Sequence, residues 1–293
     1  MLLRVARSLA PALAVHSYMA LRRAAVAGTW YPSNPARLKR EVSSHLDAAT
    51  PVDDVQPEAE LVALIAPHAG LKYSGPVAAC AYRLLQSRPF DSIVLVGPSH
   101  YVAFEGVSIW PNGAFETPFG EMPIDRDLAD AIARSCAIAG ELPSAHVREH
   151  SLEMQLPFLG VCAPATAIVP IVMGHQTRDT AIARGDAIAS ALRGRRALLV
   201  ASSDLSHFYD AATAVAMDQQ VVDRVEDLDP EGLMTLLERR PEHACGGGPI
   251  VSVLHAARAL GGRTARVLRY ADSGDVSGDK SSVVGYLAGA VWR

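Results

Sequence analysis

The sequence predicts a single α/β domain with a central, mostly parallel β-sheet flanked by helices. Two observations carry this. From residue 61 onward, short runs that are β-branched or Leu-rich and almost free of charge alternate with longer amphipathic stretches, and a turn punctuates each exchange. No internal repeat, low-complexity segment or Gly-, Pro- or Ser-rich linker divides the chain, and 293 residues suffice for one large domain with a sizeable core.

Residues 1–21 stand apart as an N-terminal extension to a domain spanning 22–293. Arg4 and Arg7 precede a short apolar stretch that Pro11 breaks, and Met19 offers a second start just before Arg22 and Arg23. An over-long start or a disordered extension therefore fits better than a secretory signal. A helix is expected over 35–46, a strand over 61–66, a helix over 76–85 and a strand over 92–96. Residues 107–110 and 121–124, joined by a Pro- and Gly-rich connection, read as a small antiparallel addition. Helices over 127–135 and 152–159 lead to a strand over 167–172, and a helix over 177–192 leads to a strand over 197–201. Helices over 213–226, 230–238 and 249–260 follow, and strands over 265–270 and 282–290 close the pattern. The four strands at 61–66, 92–96, 167–172 and 197–201 carry almost no charge because central parallel strands are covered on both faces.

Composition excludes several function classes. With 27 Lys+Arg against 31 Asp+Glu the formal charge is −4, and no basic run exists, so no nucleic-acid partner is expected. No apolar run reaches the roughly 18 residues a membrane span needs, so no membrane association is expected. Cys80, Cys136, Cys162 and Cys245 form no C-x-x-C pair, which argues against a disulfide framework or a zinc ribbon and for a reducing, cytoplasmic setting.

Four histidines sit just beyond the carboxyl ends of the four central strands. They occur in Ala66-Pro67-His68, Gly97-Pro98-Ser99-His100, Met173-Gly174-His175 and Ser203-Asp204-Leu205-Ser206-His207. In open α/β sheets the crevice outside the strand carboxyl ends binds ligands, so residues far apart in sequence can converge there. One such histidine alone reads as a loop or buried structural residue; the group reads as a site. His175 is its weakest member, because nothing polar or constrained surrounds it.

Cys245 opens Cys245-Gly246-Gly247-Gly248-Pro249, directly before an apolar helical pattern. Pro249 suits a first helical turn, so the thiol is expected near the positive end of a helix dipole, which favours a thiolate. Cys80, Cys136 and Cys162 sit in apolar contexts and read as buried structural residues. Two neutral imidazoles and one anionic ligand make a mononuclear metal site, and His68, His100 and Cys245 can supply them. His207 is then free as acid or base, and Asp204 can either orient an imidazole or approach the metal. Glu242 competes as the anionic ligand. Residues 274–281 approximate a phosphate-binding P-loop but are one residue short and precede a strand, so they read as a turn. His150 and Glu153, at i, i+3, can face a site, although capping and local hydrogen bonding explain them too. Trp30, Tyr31 and Trp110 are candidates for core or pocket lining.

Six motifs together resemble the Memo family, known in prokaryotes as protein B of the AmmeMemoRadiSam system. They are Ala27-Gly28-Thr29-Trp30-Tyr31-Pro32, Ala66-Pro67-His68-Ala69-Gly70, Gly97-Pro98-Ser99-His100, Glu149-His150-Ser151-Leu152-Glu153-Met154-Gln155-Leu156-Pro157, Ser202-Ser203-Asp204-Leu205-Ser206-His207 and Cys245-Gly246-Gly247, in order over residues 22–293. The resemblance implies a fold like that of the LigB-like class III extradiol dioxygenases. It also implies that His68, His100 and Cys245 bind metal, that Asp204 lines the same cavity and that His207 holds the position of the dioxygenases' catalytic base. Those dioxygenases use a glutamate where this chain has Cys245. A soft, oxidisable thiolate argues against efficient catechol cleavage. Leu71 stands where the family commonly has an aromatic residue.

The expected function is therefore a metal-binding redox protein holding iron, with copper or zinc as other candidates, that acts on an unidentified small molecule or on oxygen. Two other classes are a non-catalytic module that binds a peptide or partner protein in the same cleft, as the resemblance to animal members implies, and a cysteine-dependent hydrolase with Cys245 as nucleophile and His207 as base. The resemblance also implies a functional link to radical-SAM and AMMECR1-like proteins.

Overall fold

The computed structural model describes residues 21–50, 59–86 and 88–293. The expectations for residues 1–20 lie outside them, and Leu21 already pairs with Ala114. Among the described residues twelve strands form: β1 (Leu21–Arg22), β2 (Leu61–Ala66), β3 (Ser92–Pro98), β4 (Val107–Ile109), β5 (Ala114–Thr117), β6 (Gly120–Pro123), β7 (Ala139–Gly140), β8 (Ala167–Met173), β9 (Ala197–Ser202), β10 (His207–Tyr209), β11 (Thr264–Asp272) and β12 (Val283–Trp292). The helices are α1 (Pro35–Ala48), α2 (Leu71–Tyr82), α3 (Arg126–Arg134), α4 (Ser144–Val147), α5 (Leu156–Cys162), α6 (Arg178–Leu192), α7 (Ala211–Glu226), α8 (Pro230–Arg239), α9 (Gly247–Ala259) and α10 (Gly274–Ser277).

One α/β domain results, with a mixed sheet flanked by helices. Its centre is four parallel strands in the order β2-β9-β3-β8, and every residue of β2 and β3 is buried. The expectation of a mostly parallel sheet holds for that centre only. β12 runs antiparallel to β2 and carries β11 and β10 antiparallel to itself, while β4 runs antiparallel to β8. No long crossover helix separates β3 from β4, β9 from β10 or β11 from β12, and such short connections permit antiparallel pairing. α1, α2 and α5 pack together, with α2 against β2, β11 and β12; α6, α8 and α9 pack together, with α9 against β2, β3 and β9.

Several local expectations are corrected. Residues 107–110 and 121–124 do not pair with each other: β4 joins the edge of the main sheet, and β6 pairs β5 in a separate three-stranded sheet β1-β5-β6. The strand at 114–117 gave no clear alternation to read. The first core helix starts at Leu71, not residue 76, so Pro76 lies inside it. Its start is fixed from outside, because the Leu71 amide donates to Trp30 O and the Ser74 hydroxyl to Ala69 O. The helix expected over 152–159 divides into a tight turn, Glu153–Gln155, and α5. α9 begins two residues before Pro249. Residues 274–281 hold the short α10 and a turn at Gly278, tied by Lys280 to Asp272 and Asp275. All four cysteines are free. Among the described residues no helix is long and apolar enough to cross a membrane.

Candidate metal centre at the carboxyl edge of the sheet

Strand order explains which histidines meet. β2, β9 and β3 are neighbours, so the segments leaving their carboxyl ends bring His68, Ser202 to His207 and His100 to one place. β8 lies one strand further out. His175, which follows it, is exposed and faces Glu105 at 3.9 Å, outside the cluster. Cys245 arrives from the turn before α9, which packs on β9 between β2 and β3. Gly97 and Gly246 permit the close approach: a Cβ on Gly97 would stand 2.7 Å from Ser151 Oγ, and one on Gly246 would overlap Ser202 O.

The ligand atoms of His68, His100 and Cys245 all lie within 4.8 Å of one another. Cys245 Sγ is 3.2 Å from His68 Nε2. The hydrogen bonds fix how both imidazoles point. Ser202 Oγ donates its single proton to Ser151 O (2.6 Å) and accepts from Gln155 Nε2 (2.7 Å), so at 2.9 Å it also accepts from His68 Nδ1–H. The His68 lone pair is thereby left on Nε2, facing the sulfur. His100 Nδ1 likewise donates to Glu149 Oε1 at 2.8 Å, and the His100 amide donates to Glu149 Oε2 at 2.6 Å. Burial works to raise the Glu149 carboxyl, but the His100 ring and the His100 and Ser151 amides outweigh it and hold it at about 2. His100 is therefore also committed at Nδ1 and open at Nε2, the tautomer that metal-ligating histidines adopt when a carboxylate supports them.

Cys245 corrects the expectation of a dipole-stabilised thiolate. Burial, reinforced by the charge of Asp204, pushes its thiol well above the ordinary range. Burial and the neighbouring His100 push His68 well below its ordinary value. Both shifts favour the neutral forms of this close pair, so the α9 amino end does not prevail over desolvation at the thiol. Asp204 acts on the backbone beside the first imidazole: its Oδ1 accepts the His68 amide at 2.7 Å and the Ala69 amide at 3.3 Å. Its own amide donates to Cys245 Sγ at 3.3 Å, so one residue ties two of the converging loops together. Burial raises its carboxyl. His207 lies close enough to act electrostatically on His68 and Asp204. Its Nδ1 donates to Leu205 O at 2.8 Å, leaving Nε2 the basic nitrogen. Glu242 is not at the site; it faces Arg240 at 3.6 Å on the surface.

Three residues go beyond the sequence-based candidate set. Glu149 is the carboxylate that orients His100, Ser202 the hydroxyl that orients His68, and Gln155 the amide behind Ser202, itself accepting from Tyr82 OH at 2.9 Å. His150 and Glu153 separate. The His150 ring stacks on His100 at 4.5 Å and meets Trp30 at 4.3 Å, and burial with the imidazoles of His68 and His100 pushes it down to about 4. Glu153 turns away, accepting from Arg22, the Ala25 and Val26 amides and Tyr31 OH. Tyr31 and Trp110 are core, whereas Trp30 and Tyr101 both face the His150 ring.

Comparisons with known proteins agree over nearly the whole domain. The family model described as Memo-like protein matches residues 22–290. A MEMO1 family protein of Methanothermobacter thermautotrophicus is 40% identical over 272 residues, covering 91% of this chain and 98% of its own. One of Methanosarcina mazei is 39% identical over 273 residues, covering 92% and 98%. Among solved structures, an uncharacterized protein from Escherichia coli K12 superposes with a TM-score of 0.51 at 17% identity, over 78% of this chain and 99% of that one, a likeness of fold alone.

Proposed function

The chain belongs to the Memo family, and from that premise we propose that it is a metal-binding redox protein in which His68, His100 and Cys245 hold one iron or copper ion. One observation carries the reading. Two imidazoles whose Nδ1 protons are already committed lie with a half-buried thiol, their ligand atoms within 4.8 Å of one another. A mixed nitrogen and sulfur set suits iron, copper or zinc, and a cation would offset what keeps the thiol protonated. When bound, such an ion supplies electron transfer or activation of a small molecule, oxygen included.

The chain's own groups set the conditions for that chemistry. Ser202 and Glu149 fix the two imidazoles, and Asp204 holds the loops carrying His68 and Cys245 in register. His207, anchored through Nδ1, keeps Nε2 available to take or give a proton. The resemblance also implies a fold relation to the class III extradiol dioxygenases, but a thiolate in place of their glutamate makes ring cleavage the wrong reaction to propose. A Cys245 held protonated by burial argues against the hydrolase. Trp30 and Tyr101 against His150, with Phe208 76% exposed beside His207, favour a second reading: a cleft that binds an aromatic-bearing partner without turnover. On the first reading the substrate is an unidentified small molecule, and radical-SAM and AMMECR1-like proteins are the functional associates.

Anaerobic purification and elemental analysis test this. Wild-type protein should carry close to one iron or copper ion per chain, while His68→Ala and Cys245→Ser should lose at least about tenfold in metal affinity. His207→Ala should keep its metal and lose turnover. A wild-type protein that refuses metal on reconstitution leaves the binding-cleft reading, and metal loss in His207→Ala equal to that in His68→Ala makes His207 a ligand.

A further inference from the structure

Arg184, in the middle of α6, is fully buried at 0% exposure, and none of its three guanidinium nitrogens has a partner in good hydrogen-bond geometry, the Cys136 thiol offering only a weak side-chain contact. No carboxylate among the described residues pairs with it. The ionisable group that acts on it is the thiol of Cys136, on the turn that follows α3, and α3 packs against α6. Burial lowers the Arg184 pKa, yet a guanidinium stays cationic in a protein. A buried cation without a counter-ion is strongly destabilising, as when one partner of a buried ion pair is removed. A thiol meets that need poorly, being a weak acceptor. Two oxygens on the same sulfur would present the paired acceptors that a guanidinium fork matches.

We propose that Cys136 is an oxidation site, converted by a small hydroperoxide to a sulfinate that Arg184 holds as its counter-ion. In the first step the Cys136 sulfur attacks one peroxide oxygen; an S–O bond forms, the O–O bond breaks, and thiol plus hydrogen peroxide become sulfenic acid plus water. A second equivalent gives sulfinic acid and water, and the acid releases its proton to solvent. Each step removes two electrons from sulfur and reduces one peroxide. Access is short: Cys136 is 5% exposed, between the exposed Ser135 and Ala137. Cys162 provides the internal contrast, because burial pushes its thiol up to about 12 and no cation acts on it.

Two measurements on the full chain, kept with a chelator, test the proposal. Cys136→Asp places a two-oxygen anion against Arg184, and Arg184→Met removes the cation while keeping an apolar stem. Cys136→Asp should leave the urea midpoint unchanged or raise it in the wild-type background and lower it in the Arg184→Met background. Arg184→Lys should preserve the wild-type sign and serves if Arg184→Met does not fold. Mass spectrometry after hydrogen peroxide treatment should find sulfinate on Cys136 at least about tenfold sooner than on Cys162, a preference that Arg184→Met abolishes. Equal destabilisation by Cys136→Asp in both backgrounds, or Cys136 oxidising no faster than Cys162, overturns the assignment.

Discussion

Glu153→Ala is expected to lower the stability of the protein by about 3–5 kcal/mol, the loss typical when one partner of a buried ion pair is deleted. The Glu153 carboxylate is fully buried and receives the Arg22 guanidinium, the Ala25 and Val26 amides at 2.7 and 3.0 Å, and the Tyr31 hydroxyl at 2.6 Å. Truncation strands all four donors, and the Arg22 charge is the costliest because its side chain is 1% exposed. Glu153→Gln keeps acceptor capacity at one oxygen and should cost less. The effect should extend to the cluster of His68, His100 and His150, since the segment that Glu153 pins carries Trp30, whose ring packs on His150 and whose carbonyl anchors the start of α2. Urea unfolding monitored by tryptophan fluorescence measures it. A loss below about 1 kcal/mol would mean that the network contributes no more than a surface pair.

Metal-free protein should lose stability as the pH drops below about 6.5, well before carboxylates titrate. Burial, with the nearby Arg22, holds His146 at about 3, burial and the neighbouring imidazoles hold His150 at about 4, and His68 is also well below its usual value. Unfolded, each returns to about 6.5 and takes up a proton, so between the folded and unfolded values the unfolded state binds more protons and stability rises with pH. At pH 5 His146 and His150 should each cost about 1–2 kcal/mol relative to pH 7.5, and His68 adds to the loss in the same direction. Glu149 works the same way lower down: its depressed carboxyl contributes stability that begins to fade below about 4.5 and is lost as the pH falls through about 2. Thermal unfolding in chelator at pH 7.5, 6 and 5 tests the sign; a midpoint that stays level to pH 5 would show that these imidazoles are not buried neutral.

The centre of the fold was legible because its rule is simple: charge-free runs become covered strands, and residues just past their carboxyl ends share one crevice. That logic reached His68 and His100, a glycine turn before a helix pointed to Cys245, and His175 was included only because a sequence does not state strand order, which puts β8 beyond β3. Glu149 was less visible for a different reason. It lies on an irregular segment rather than after a strand, and its task is to hold another residue's proton. A search for the acid that each ligand-type histidine needs would have singled it out inside Glu149-His150-Ser151. Cys245 shows where local reasoning fails: a helix amino end lowers a thiol's pKa only if burial does not overwhelm it, and burial is a tertiary property. Pro76 fails similarly, since Trp30 and Ala69 fix the start of α2 from outside the helix.

The position of β12 has a consequence for biosynthesis. β12 lies between β2 and β11, pairing Trp292 with Leu61 and Gly289 with Ile65, so the strand that delivers His68 gains this neighbour only after more than two hundred further residues. A nascent chain emerging from the ribosome thus presents its histidine and thiol groups while the platform beneath them is incomplete. If the crevice holds an ion as proposed, its uptake on this topology is a late event that follows translation of residue 292. A ribosome-stalled chain lacking residues 283–292 should accordingly take up no more metal than the urea-unfolded protein, and native-like uptake by such a chain would show that the crevice matures without its closing strand.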